Sequence, residues 1–93
     1  MKKEVFALTK KYSEIEGLQE EYSVVYSANE NNEGTVLCVE HNSANKAIKE
    51  KCVCKKIHLK RGEDILRLLY ENSMGIHNWL DILDDLNVEY TRI

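Results

Sequence analysis

Two periods of apolar spacing divide this chain. In the first half, short runs rich in β-branched and aromatic residues, Val5–Thr9 and Glu21–Tyr26, read as strands, and Glu30-Asn31-Asn32-Glu33-Gly34 is a strong turn signal after the second. Thr35–Glu40 and Lys51–Ile57 alternate in character, with Asn42–Asn45 as the loop between them. Helix competes with strand over residues 1–20, where Lys, Glu and Leu are frequent; the balance falls slightly towards strand. In the second half the period becomes helical. Gly62-Glu63-Asp64 places acids at a helix start, and Ile65, Leu68 and Leu69 form an apolar face with Tyr70 at its margin. Asn72-Ser73-Met74-Gly75 breaks it, and Ile76, Trp79, Leu80, Leu83 and Leu86 resume at close to 3.6-residue spacing. Val88, Tyr90 and Ile93 leave room for a short closing strand. The expected architecture is α+β: an antiparallel β-meander of about four strands packed against a C-terminal helix pair, one domain over residues 1–93.

Composition narrows the class. With 43% apolar and 31% charged residues the chain is an ordinary globular one, long enough for a core but near the size at which an added cross-link helps. No apolar run approaches the roughly 20 residues that span a bilayer. The N-terminal Met1-Lys2-Lys3-Glu4 lacks a signal-peptide stretch, and three cysteines cannot all pair, so reduced thiols in a cytoplasmic protein are expected. The net charge of −3 conceals a basic stripe: residues 46–61 hold seven of the thirteen Lys and Arg against one acid, Glu50. Acids predominate on both sides of it, an asymmetry that can steer an encounter or simply solvate two faces.

The chemistry-bearing feature is Cys38-x-x-His41 followed by Cys52-x-Cys54. Four soft or borderline ligands at this spacing suggest a tetrahedral zinc site of structural type. If residues 35–57 form a hairpin centred near Ala44–Ile48, Cys38 lies opposite Cys54 and Glu40 opposite Cys52. All three thiols then share one face, with Leu37, Val39, Val53 and Ile57 on the other. His41 points away from Cys38 in a regular strand and converges only if the strand breaks; Glu40, His58 or a water are the alternatives for the fourth position. The competing readings are small buried hydrophobes and redox-active thiols.

Other motifs weigh less. The helix–break–helix invites a DNA-reading interpretation, but Asp81, Asp84 and Asp85, with Glu89 just beyond, oppose entry into a phosphate-lined groove, so no direct duplex DNA binding is expected. An acidic helix end can instead imitate phosphates and occupy a basic channel of another protein. The basic stripe has no aromatic interleaving for base stacking. Trp79 is expected as a core anchor. There is no P-loop, dinucleotide-type glycine pattern or HExxH, and an enzyme is not expected.

The stretch Ile57–Leu86, ending Gly75-Ile76-His77-Asn78-Trp79-Leu80-Asp81-Ile82-Leu83-Asp84-Asp85-Leu86, resembles a family of small Firmicutes proteins with a β-meander before two helices. That family has no assigned activity, so the resemblance implies a fold and no site. In size, acidity, missing catalytic motifs and metal-staple pattern, the chain is also similar in type to phage anti-CRISPR proteins that inhibit Cas9. This second resemblance implies a non-enzymatic binding protein whose partner is a CRISPR nuclease; the phosphate-like acidic helix end, Asp81, Asp84 and Asp85 with Glu89, is the expected contact. The alternative is a regulatory or nucleic-acid-binding module that uses the stripe 46–61 through Lys55, Lys56, Lys60 and Arg61. Oligomeric state, homo-oligomer included, is left open.

Overall fold

A computed structural model describes residues 5–13, 15–17 and 20–93. The described residues form β1 (Val5–Tyr12), β2 (Tyr22–Asn31), β3 (Gly34–Ser43), β4 (Lys46–Cys54), α1 (Leu59–Glu71), α2 (Trp79–Asp85) and β5 (Thr91–Arg92). The strands make one sheet in chain order, each antiparallel to its neighbour. Both helices lie on one side. The expected α+β meander with a C-terminal helix pair is therefore the observed architecture, and residues 1–20 contribute a strand. The closing strand also forms, pairing Cys52 with Arg92 and Val53 with Thr91.

Alternation along the strands sorts the residues. Val24, Tyr26 and Ala28 of β2, Leu37 and Val39 of β3, and Cys52 and Cys54 of β4 face inward. They meet Leu59, Ile65, Leu66 and Leu69 of α1 and the Ile76, Trp79, Leu83 row around α2. Trp79 is fully buried, as a core anchor should be. Gly62 lets α1 lie directly on the sheet: a Cβ there would stand 2.9 Å from Thr35 Cγ2 and 3.2 Å from Leu37 Cδ2.

Both helices differ at their starts from the sequence expectation. α1 begins at Leu59, so Lys60 and Arg61 occupy its first turn, where cations oppose the dipole and disguise the start. α2 begins at Trp79 because Asn78 Oδ1 accepts from the Gly75 amide at 2.9 Å, which closes a turn over the residues before it. Each helix ends in a Schellman arrangement. Met74 N donates to Leu69 O and Ser73 N to Tyr70 O after α1; Val88 N donates to Leu83 O and Asn87 N to Asp84 O after α2. The left-handed positions that close them are Ser73 (φ 54°) and Asn87 (φ 58°), where glycine is usual.

Each of the four long strands sends one polar side chain to the chain that covers the sheet. Lys10 Nζ of β1 donates to Tyr70 O (2.9 Å) and Ser73 Oγ (2.7 Å). Tyr26 of β2 donates its hydroxyl to Met74 O, and Thr35 Oγ1 of β3 donates to Ile57 O at 3.0 Å. Glu50 Oε1 of β4 accepts from Trp79 Nε1 at 2.9 Å. No buried side-chain nitrogen or oxygen among the described residues lacks a partner.

Two predictions follow from this packing. Gly34, at φ +148°, opens β3 where a Cβ would lie 2.5 Å from Cys54 O and 2.8 Å from Lys55 Cα, both backbone. Gly34→Ala should therefore lower stability by about 1–3 kcal/mol in urea unfolding; an unchanged midpoint and slope would contradict this packing. Burial, then the neighbouring Tyr12, Tyr22 and Tyr70, push Tyr26 from 10.0 to about 12. Below pH 10 both states hold the proton and the contribution is complete; between 10 and 12 the unfolded chain ionises first. Stability should fall there by about 1.4 kcal/mol per pH unit relative to Tyr26→Phe, read from urea midpoints across that window.

Candidate functional site

The cysteine–histidine group is not assembled as its spacing suggests. The β3–β4 turn is the two-residue Ala44-Asn45, flanked by the Ser43–Lys46 pair and closed by Ser43 Oγ donating to Lys46 O at 3.2 Å. Cys38 therefore pairs with Lys51, Leu37 with Cys52 and Thr35 with Cys54. The expected register, Cys38 opposite Cys54 and Glu40 opposite Cys52, is displaced by an odd number of residues. Because strand side chains alternate, an odd slip exchanges faces. Cys52 and Cys54 join Leu37 and Val39 inside, while Cys38 and Val53 go to the outer face with Val36. Cys38 borders a shallow outer depression with Lys49, Lys51 and Ile93.

His41 does point away from Cys38, since β3 continues regularly through Ser43. It shares the inner face with Cys52 but pairs with Ile48, four residues from Cys52 along β4 and so roughly 13 Å distant. Its ring stacks on Tyr22, with centroids 4.8 Å apart and planes at 18°. Glu40, on the outer face, is bound by Lys49 (3.7 Å) and Asn42 Nδ2 (3.2 Å). His58 is exposed at the N-cap of α1. No three His, Cys, Asp or Glu side chains among the described residues converge as metal ligands. The residues Cys38, His41, Cys52 and Cys54 do not fit a tetrahedral zinc ion. Cys52 and Cys54 serve instead as small core residues; the hydrogen bond shared with Cys54, and then burial, push the Cys52 thiol up.

The acidic residues are placed differently. Asp81, in the first turn of α2, and Asp84 and Asp85, in its last, are all exposed, as is Glu89. Asp84 and Glu89 line a cleft of about 600 Å³ between the end of β4, the end of α2 and the following tail. Val53, Val88 and Tyr90 supply its apolar surface, and Lys55 and Lys56 its cations. Lys56 Nζ meets Glu89 Oε2 at 3.0 Å with both side chains well exposed, a pair worth little by itself. Partial burial, then the charge of Asp84 and the hydrogen bond to it, raise Tyr90 above the ordinary tyrosine value. Acidic and basic residues that are far apart in sequence thus meet in one cleft. Asp81 and Asp85 lie outside its lining.

Sequence reasoning missed a second group, a column of parallel rings at the opposite sheet end: Tyr12 on Tyr22 (4.5 Å, 10°) and Tyr22 on His41. The signal was present, since pairing the two N-terminal runs as a hairpin puts Tyr12 opposite Tyr22.

The inner placement of Cys52 and Cys54 predicts a graded response to substitution. Cys52→Ser or Cys54→Ser should cost about 1–3 kcal/mol by burying a hydroxyl among apolar groups, and Cys38→Ser less. A chelator should leave the melting temperature of the native protein unchanged. Equal losses at all three positions together with chelator sensitivity would show that the thiols act as one metal-binding unit.

No helix among the described residues is long and apolar enough to cross a membrane. No protein-family model, curated protein or solved structure matches the chain.

Proposed function

We propose that this chain is a non-enzymatic binding protein that inhibits a nucleic-acid enzyme by placing the acidic end of α2 against a basic, phosphate-binding surface. A CRISPR nuclease of the Cas9 kind is the candidate target. The observation that carries the reading is the last turn of α2. Asp84 and Asp85 sit where the helix carbonyls converge, and no base in that turn offsets them. Carboxylates at a helix C-terminus typically cost about 0.3–1 kcal/mol. Local rules are broken most often where a residue serves a partner rather than the fold. Asp81 and Asp85 enter no ion pair among the described residues, so their charge is available to a partner.

The basic stripe supports a second reading, direct nucleic-acid binding, because Lys60 and Arg61 likewise oppose the dipole in the first turn of α1. Three of its cations are already committed: Lys49 to Glu40, Lys56 to Glu89, and Lys60 to Asp64. The stripe also has no Phe, Tyr or Trp interleaved with its cations for stacking on bases, which favours the acidic surface.

Asp85→Lys separates function from stability. Reversing this charge should raise the melting temperature by roughly 1–4 °C through the helix dipole, while abolishing inhibition of plasmid cleavage by Cas9. The wild-type protein alone should leave duplex DNA unshifted in a gel at low salt. Undiminished inhibition by Asp85→Lys and Asp84→Lys would remove the acidic helix end from the mechanism. A gel shift that weakens steeply with salt would favour the stripe instead.

A further inference from the structure

At the sheet end opposite the acidic cleft, a second cavity of about 260 Å³ opens between β1–β4 and the α1–α2 connection. Its wall includes the ring column Tyr12–Tyr22–His41, which steps across three adjacent strands with centroids 4.5 and 4.8 Å apart. The column stops at His41. The next inward-facing residues on β4 are Ile48, directly paired with His41, and Lys46, paired with Ser43, and both line the cavity. The end of the row of rings, an aliphatic side chain and an ammonium group thus border one cavity. His77 adds a second imidazole from the connection, and no carboxylate lines the cavity among the described residues.

We propose that this cavity binds a small planar aromatic anion, a flat ring bearing a phosphate or carboxylate. The ring extends the Tyr12–Tyr22–His41 stack, and the anionic group is held by Lys46 with N–H donation from His41 or His77. Parallel rings offer a π-face to any flat ligand regardless of its edge pattern, so stacking supplies affinity and the cations supply selection for charge. The volume is slightly under the usual range for drug-sized ligands, which suits one ring system with its acid group rather than an oligomer.

Ser73, which lines the cavity, takes a left-handed conformation where a helix end ordinarily uses glycine. Its hydroxyl is held by Lys10 Nζ at 2.7 Å, so the wall is built to a fixed shape at a conformational cost. A site that binds by stacking benefits from such rigidity, because the slot need not be ordered when the ligand arrives.

Two-dimensional NMR titration of the intact protein tests the assignment. Adenosine monophosphate and benzoate represent the two sources of the shared chemistry; adenosine and inorganic phosphate each lack one half of it. At least one of the two anions should bind saturably, with ring-current shifts confined to residues around Tyr22, His41 and Ile48. Whichever binds more tightly assigns the acid group as phosphate or carboxylate. For that ligand, Lys46→Gln should weaken binding roughly tenfold by removing a charge-assisted contact. Tyr22→Leu should abolish binding, whereas Tyr22→Phe, which keeps the ring, should preserve it. Lys46 is exposed beside a turn, so its replacement leaves the core intact. No saturable shifts from either anion up to about 10 mM, where a bound state would be worth less than about 3 kcal/mol, would overturn the proposal. So would equal binding by inorganic phosphate alone, or undiminished binding to Lys46→Gln.

Discussion

The fold depends on polar side chains that cross from the sheet to the chain packed over it. Lys10, Tyr26, Thr35 and Glu50, one from each long strand, reach Tyr70 and Ser73, Met74, Ile57 and Trp79 respectively. Apolar burial supplies most of the stabilising free energy but is indifferent to small sliding movements of a helix on a sheet. Hydrogen bonds in a partly desolvated layer are directional and costly to leave unmade. Four of them, spread over four strands, select one placement of the helices among the many that would bury a similar area.

Two of these ties, from Lys10 and Tyr26, end on the connection between α1 and α2. They hold that connection above the sheet end where the Tyr12–Tyr22–His41 column stands, and so define one wall of the smaller cavity. Trp79 is tied to β4 through Glu50, which also meets Arg92 at 3.4 Å and so links the start of α2 to β5. The run of chain from α2 to β5 lies over the end of β4, and the acidic cleft forms beneath it. Both concavities thus arise where a connection is held against a sheet end. α1 itself lies flat on the sheet at Gly62, where even a methyl group would press on Thr35 and Leu37.

How far the sequence made this legible depended on how strong each local signal was. The meander and the helix pair were readable because strand composition and helical spacing occupy separate halves of the chain. The Asn31–Gly34 turn was marked by residues that perform it: Asn31 Oδ1 accepts from the amides of Glu33 and Gly34. The β3–β4 turn was not. Ala44-Asn45 contains no glycine, so nothing local distinguishes it from a turn centred a residue or two later, and the actual register differs from that alternative by an odd number. In that alternative register Cys38 joins Cys52 and Cys54 on one face; in the actual one two thiols are in the core and the third lies outside. The exposed positions of Asp81, Asp84, Asp85 and Glu89 followed from amphipathicity alone. Their meeting with Lys55 and Lys56 did not, because it depends on where the tail returns.

The brevity of β5 sets the order in which the sheet opens. Its pairing with β4 is limited to Cys52–Arg92 and Val53–Thr91, extended by Ile93 N to Lys51 O at 3.1 Å and by the exposed Glu50–Arg92 contact. β2, β3 and β4 are joined by two-residue turns, whereas β5 is separated from β4 by both helices, so its closure carries a far larger loop entropy. Few hydrogen bonds offset that cost. Opening of β5 is therefore the least costly opening in the sheet, and it adds the Lys51–Val53 backbone of β4 to the edge that β1 already presents among the described residues.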